Sequence, residues 1–178
     1  ENPDDEGTER WFTNSAAPYE GVMQITTRVT GSTFKQALSR LEPGDRIELK
    51  QDPEGDFTWE ETDIPVVFVA GGIGVTPFHS ILKQRHHDGE PLEVTLIYGS
   101  GSDDVAFADE LIGWEEADHS LTVHRVVGEP LTVDVLIRLV PALTDSLVYV
   151  SGPEPMVESI GKMPPNGSTD FACPCGKR

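Results

Sequence analysis

The chain has 178 residues, 37% of them hydrophobic, enough for one large domain or two small ones with a real core. Its formal charge of −18, from 31 acidic against 13 basic residues, creates a field that repels nucleic acid and anionic lipid, so neither is expected as a partner. No apolar run reaches the length of a bilayer span and residues 1–10 do not read as a secretion signal, so a soluble cytoplasmic protein is expected; the acids are interleaved with strand and helix patterns, which fits a halophilic source or an acidic mesophilic one.

The first sixty residues read as β-rich. Residues 10–14 and 22–30 are rich in aromatic, Val, Ile and Thr side chains, and Asp45-Arg46-Ile47-Glu48-Leu49-Lys50 alternates polar with apolar. Ser32 or Thr33 is placed to cap a short helix over 34–41, which Pro43-Gly44-Asp45 ends. Residues 51–63 form an acidic, glycine-containing connector.

From Ile64 the pattern changes to strand, helix, strand, helix. Strands are predicted over 66–70, 94–98, 122–126 and 147–150, and helices over 77–86, 106–113, 133–139 and 155–160. Val66-Val67-Phe68-Val69-Ala70 is continuously apolar, as in a strand covered on both faces of a parallel sheet. Such alternation predicts an α/β fold, a doubly wound parallel sheet with right-handed crossovers, whose ligands bind at the carboxyl ends of the strands. Three glycine-marked turns fall at those ends: Gly71-Gly72-Ile73-Gly74, Tyr98-Gly99-Ser100 and Ser151-Gly152-Pro153. The first, running into Thr76 and Pro77 at a helix start, reads either as a phosphate cradle or as an ordinary tight turn between strand and helix.

Several residues read as bland. His79, His86 and His87 have no zinc spacing and are expected on the surface, and Trp11, Trp59 and Trp114 are expected to pack. Cys173 and Cys175 are too few to hold a metal alone and read as a thiol tail. No G-x-S-x-G elbow is present, so nucleophilic hydrolysis has no support.

Taken in order, the motifs resemble the ferredoxin–NADP reductase superfamily over residues 10 to 159. Arg10-Trp11-Phe12-Thr13 is similar to that family's flavin motif. The resemblance implies that Arg10 pairs with the FAD pyrophosphate, Phe12 lies against the isoalloxazine and the Thr13 hydroxyl hydrogen-bonds near N5. Gly31-Ser32-Thr33-Phe34 resembles the second flavin segment, with Thr26, Thr27 and Arg28 on the strand beside it. Asp52-Pro53-Glu54-Gly55-Asp56-Phe57 stands where the family has a G-P-x-G-x-F turn, with Asp52 in place of the first glycine.

In the second half, Gly71, Gly72, Gly74, Thr76 and Pro77 resemble the nicotinamide pyrophosphate turn, and Ser151-Gly152-Pro153-Glu154-Pro155-Met156 is similar to the segment bordering the nicotinamide. Ser151 stands where cysteine is commoner and keeps a small hydroxyl to orient the ring, so Thr13 and Ser151 are the implied catalytic pair. Tyr98, Gly99 and Ser100 are followed by Asp103 and Asp104 rather than by an arginine for a 2′-phosphate, which favours NADH over NADPH, with Arg125 as the opposing candidate.

The implied architecture is a partial antiparallel flavin-binding β-barrel, residues 1–60, followed by the nicotinamide-binding α/β domain, residues 61–178. The implied function is hydride transfer from NADH or NADPH to FAD, then electron transfer to a ferredoxin-like or other acceptor protein. The alternative is a truncated nucleotide-binding or electron-transfer subunit without stable flavin. Family barrels carry strands ahead of the Arg10 motif, so an open edge suited to oligomerisation is expected here, and Thr169-Asp170-Phe171 only faintly resembles the family's aromatic tail.

Overall fold

The computed structural model describes residues 9–50 and 57–163. The expected turn at 52–56, the Thr169-Asp170-Phe171 segment, Cys173 and Cys175 lie outside the described residues. At the centre are four parallel strands, β1 (Val66–Gly71), β2 (Val94–Ser100), β3 (Thr122–Val127) and β4 (Leu147–Ser151), in the order β3-β2-β1-β4. The helices are α1 (Thr33–Leu38), α2 (Thr76–Asp88), α3 (Ala108–Ala117), α4 (Val133–Leu139) and α5 (Glu154–Ile160). β1 lies between β2 and β4 and is buried along its whole length, the environment its unbroken apolar run predicts.

Side-chain alternation divides the core into two layers. Val66, Phe68 and Ala70 of β1 face one way, with Leu96 and Tyr98 of β2, Phe78 and Leu82 of α2, and Leu111 and Trp114 of α3. Val67 and Val69 face the other way, with Ile97, Val148 and Val150, Val135 and Leu136 of α4, and Val157 and Ile160 of α5. The sheet is therefore doubly wound, as predicted. The first layer is aromatic at its centre, with Phe68 stacked on Phe78 at 4.4 Å and edge-on to Tyr149 at 5.4 Å.

The connector contributes to this layer. Phe57 packs on Phe78 and Tyr149, and Trp59 meets Phe68 edge-on beneath the Arg85 guanidinium, 4.0 Å from its ring centroid. Arg85 is buried but not isolated: its Nε and Nη2 donate to the Pro91 carbonyl, and Nη1 pairs with Glu90 at 2.9 Å.

The first part of the chain departs from expectation. Of the predicted strands over 10–14, 22–30 and 45–50, the described residues form a single antiparallel bridge, Asn14 to Ile25, and no partial barrel. An alternating segment becomes a strand only when a neighbour supplies the ladder, and here Val22, Met23, Val29, Ile47 and Leu49 stay exposed. Trp11, expected to pack, is 81% exposed, whereas Trp59 and Trp114 do pack. α1 stops at Leu38 rather than 41, where the Ser39 hydroxyl turns back to donate to the Gln36 carbonyl. Among the described residues, no helix is long and apolar enough to cross a membrane.

At the amino edge of the sheet, Asp118 ties the approaches to β2 and β3 together. Its carboxylate accepts the Ser120 hydroxyl at 2.6 Å, the Leu92 N–H at 2.9 Å and the Ser120 N–H at 2.9 Å, and these bonds hold it below the usual aspartate range. Because the group is only half-buried and its bonds to Ser120 lie at the surface, Asp118→Ala is expected to cost only about 1 kcal/mol at neutral pH, read by urea denaturation. A carboxyl lowered by folding stabilises above its unfolded pKa and loses that contribution as pH falls through its folded pKa, so the difference between variant and parent should close in acid.

Candidate functional site

The strand order reverses between β1 and β4, and α2 and α5 leave the carboxyl ends of those strands toward opposite faces. In open sheets of this topology ligands bind outside the strands at such a reversal. All three glycine turns reach this edge: Gly71 pairs with Gly99, and Ala70 with Ser151.

The glycines here serve mainly close approach. A Cβ on Gly74 would lie 2.3 Å from the Ser151 carbonyl oxygen, and one on Gly71 would lie 2.8 Å from both Met156 Sδ and Pro153 Cδ. Gly152, at φ +157°, brings its backbone against Gly71. Gly72 differs, since its φ of +55° is the left-handed turn that only glycine takes at little cost. The first-turn residues Thr76 and Pro77 are buried at the start of α2, and Ser151 is buried beside the turn while Pro153 is exposed.

At the end of β2 the Tyr98 side chain turns into the core, its hydroxyl donating to the Ala106 carbonyl at 3.5 Å, and burial pushes its phenol pKa up. The Tyr98 ring thus belongs to the core layer rather than to an open ligand face. Gly99 leaves room for Leu131, since a Cβ would fall 2.6 Å from its Cγ. Beyond Ser100, Asp103 and Asp104 are exposed, and Arg125 donates to the Ala108 carbonyl at 3.3 Å.

The residues of the two flavin-like segments come together. Arg10 Nη2 lies 3.4 Å from Ser32 Oγ, its guanidinium is 5.2 Å from the Phe34 ring centroid, and Phe12 and Phe34 are 6.1 Å apart. Thr33 opens α1 directly after Ser32, with Gly31 exposed before it. Thr26 joins Ser15 by a 2.8 Å hydroxyl pair, and the Thr27 hydroxyl donates to the Arg28 carbonyl at 3.5 Å. Thr13 is half-buried. Arg28 reaches across to the other half, its Nη2 standing 3.5 Å from where a Gly72 Cβ would lie.

His79 overturns its expected surface position. It is 1% exposed, stacked on Phe107 at 3.7 Å, with Nδ1 2.8 Å from the Ser15 carbonyl and Nε2 3.0 Å from Glu110. Its spacing carried no sign of this, because the partners lie 64 and 31 residues away. Among the described residues, no group of three or more His, Cys, Asp or Glu side chains is placed to hold a metal ion.

Residues 68–162 match the family described as the oxidoreductase NAD-binding domain. The chain is 34% identical over 137 residues to a flavohemoprotein of Rhodopirellula baltica, covering 67% of this chain and 33% of that protein. It is 28% identical over 174 residues to the reductase component of propane 2-monooxygenase from Mycolicibacterium goodii, covering 86% of this chain and 50% of the relative. The chain therefore spans between a third and a half of the length of these relatives. Its fold superposes on the crystal structure of an Amycolatopsis cytochrome P450 reductase with a TM-score of 0.73 at 22% identity, covering 95% of this chain and 56% of that one.

The tight contact between the turns after β1 and β4 is directly testable. Gly74→Ala forces a backbone shift against Ser151 and is expected to cost about 1–3 kcal/mol. Gly113→Ala, in α3 with open space around it, is expected to stabilise by up to about 1 kcal/mol. Chemical denaturation of both variants measures the contrast, and equal effects would show that the turn has slack.

Proposed function

The chain belongs to the oxidoreductase NAD-binding domain family, of the ferredoxin–NADP reductase type, and from that premise we propose that it works as the reductase portion of a flavin-dependent electron-transfer protein. Reduced nicotinamide is the electron source, FAD the relay, and an oxygenase-type or iron–sulfur protein the acceptor. The names of the relatives support that acceptor class, since one is the reductase component of a monooxygenase. The division lies near residue 60, with the flavin side before it and the nicotinamide side after it.

The observation that carries this reading is the juxtaposition of two clusters. One is the strand reversal between β1 and β4 with its glycine turns, the other is the Arg10, Ser32, Phe34 and Phe12 group, and Arg28 links the first part of the chain to the turns, its Nη2 3.5 Å from where a Gly72 Cβ would lie. A cation, a hydroxyl at a helix start and two aromatic rings fit a cofactor that carries both a diphosphate and a planar ring. Arg10, Ser32 and Thr33 would hold the FAD diphosphate, Phe12 would lie along the ring system, and Thr13 would offer its hydroxyl to the reactive edge. Gly71, Gly72, Gly74, Thr76 and Pro77 would receive the nicotinamide diphosphate at the start of α2, and Ser151, Gly152, Pro153 and Met156 would border the nicotinamide ring. Bound FAD supplies the capacity to accept a hydride and release single electrons. The protein contributes orientation, and none of its side chains needs to act as a general acid or base.

Coenzyme choice follows from charge. Asp103 and Asp104 are exposed beyond β2, and Arg125 donates to a backbone carbonyl, a combination that supports NADH. A second reading, a nucleotide-binding subunit without stable flavin, is favoured by the single bridge and exposed apolar side chains of residues 9–50. Flavin absorbance in the purified chain separates the two.

Arg10→Ala is expected to weaken FAD binding by about 1.5–3 kcal/mol, the worth of a charge-assisted contact with phosphate, measured by flavin titration. With flavin-loaded protein, stopped-flow reduction should be more efficient with NADH than with NADPH. Asp103→Asn combined with Asp104→Asn should narrow that gap, and faster reduction of the parent by NADPH would overturn the assignment of the acids.

A further inference from the structure

α2 begins in the glycine turn at Thr76 and, one helical turn later, grips the segment that follows the Arg10–Thr13 motif. His79 donates from Nδ1 to the Ser15 carbonyl at 2.8 Å, and the Ser80 hydroxyl donates to the next carbonyl, that of Ala16, at 2.7 Å. Further along the same face, Gln84 accepts the Tyr19 N–H at 2.8 Å, Lys83 pairs with Glu20 at 3.0 Å and His87 stacks on Tyr19 at 3.7 Å. Positions 79, 80, 83, 84 and 87 have the spacing of one helix face.

Both sides of this contact are braced. Ser15, Ala16 and Ala17 are buried, the Ser15 N–H donates to the Gln24 carbonyl at 2.8 Å, and Glu20 accepts the Ala17 N–H at 2.8 Å. The Ala17 N–H, and after it Lys83, hold the Glu20 carboxyl below its ordinary range. Behind His79, Phe107 stacks on the ring from a left-handed backbone at φ +61°, a conformation a bulky residue keeps only where its surroundings enforce it. Glu110 faces Nε2 and also pairs with Lys83 at 3.4 Å.

We propose that His79 and Ser80 are positioning residues that hold the flavin segment in register with the nicotinamide turn, setting the separation across which the hydride moves. The inference rests on the functional reading given above. The path between the two motifs is short and stiff: Thr13 to Ser15 along the chain, one hydrogen bond to His79, and one turn of α2 back to Thr76. Apolar contact alone would leave the segment free to slide along the helix. Directional bonds to two successive carbonyls fix it along the axis as well. Reaction rates depend steeply on such placement, with about a hundredfold loss for an error of about 1 Å.

The test compares the parent with His79→Ala combined with Ser80→Ala, in the full chain loaded with FAD. The limiting rate of flavin reduction by NADH is expected to fall at least about tenfold while flavin content and the NADH dissociation constant stay within about twofold. Hydrogen exchange should rise at the amides of residues 15–26 while β1 to β4 keep their protection. His79→Asn, which restores a donor near the Nδ1 position, should recover most of both. Ser80→Ala alone provides a milder variant should the double variant fail to fold, with the same direction expected in rate and exchange. Unchanged exchange, or faster exchange with an unchanged limiting rate, overturns the proposal, as does loss of protection across the whole sheet in Ser80→Ala. A parent chain that holds no flavin defeats the functional reading instead, and the exchange comparison on that same chain still decides whether the contact exists.

Discussion

The backbone contact between Gly74 and the Ser151–Gly152 peptide is the constraint on which the rest of the structure depends. With a Cβ at Gly74 only 2.3 Å from the Ser151 oxygen, no other residue fits without moving one turn away from the other. That contact lets β1 and β4 lie side by side while the helices that follow them pack on opposite faces, the arrangement in which open sheets bind ligands at their carboxyl ends. The glycines thus act first on packing, and the shape offered to a ligand follows from it. Gly72 is the exception, since its left-handed backbone turns the chain from β1 into the start of α2.

Stability is distributed unevenly along the chain. The sheet and its four helices enclose apolar side chains on both faces and close their own hydrogen-bond ladders. Residues 9–50 have one bridge, a 3-10 turn at Pro18–Glu20, a short α-helix and many exposed apolar side chains, and residues 15–20 are held to α2 by polar contacts and the Tyr19–His87 stack. Local opening should therefore begin in that part, where few buried contacts oppose it. If the proposed roles hold, opening there would change the relation between the two motif clusters while the sheet stays folded.

The acidic character of the chain leaves its core chemistry untouched. The carboxylates that matter structurally are locally satisfied: Asp118 by Ser120 and Leu92, Glu20 by Ala17 and Lys83, Glu90 by Arg85. Each works through hydrogen bonds at short range, which salt screens far less than long-range repulsion between exposed charges.

The sequence by itself determined the four parallel strands, the helices between them, the two-sided burial and the glycine turns at one edge. Val66 to Ala70 could be read because an unbroken apolar run and the glycines after it are local signals, set by burial and by backbone sterics within a few residues. Arg10 and Ser32 stand in separate motifs 22 residues apart, and folding brings Arg10 Nη2 to 3.4 Å from Ser32 Oγ. Only the tertiary structure decided that, among the described residues, the stretches over 22–30 and 45–50 form no strand and pair only through the Asn14–Ile25 bridge, that Tyr98 turns inward, and that His79 is a buried bridge between Ser15 and Glu110. The physical reason is the same in each case: strand pairing, side-chain direction and histidine burial depend on atoms brought near by folding, some of them from 31 and 64 residues away, and no periodicity along the chain encodes which carbonyl a ring nitrogen will meet.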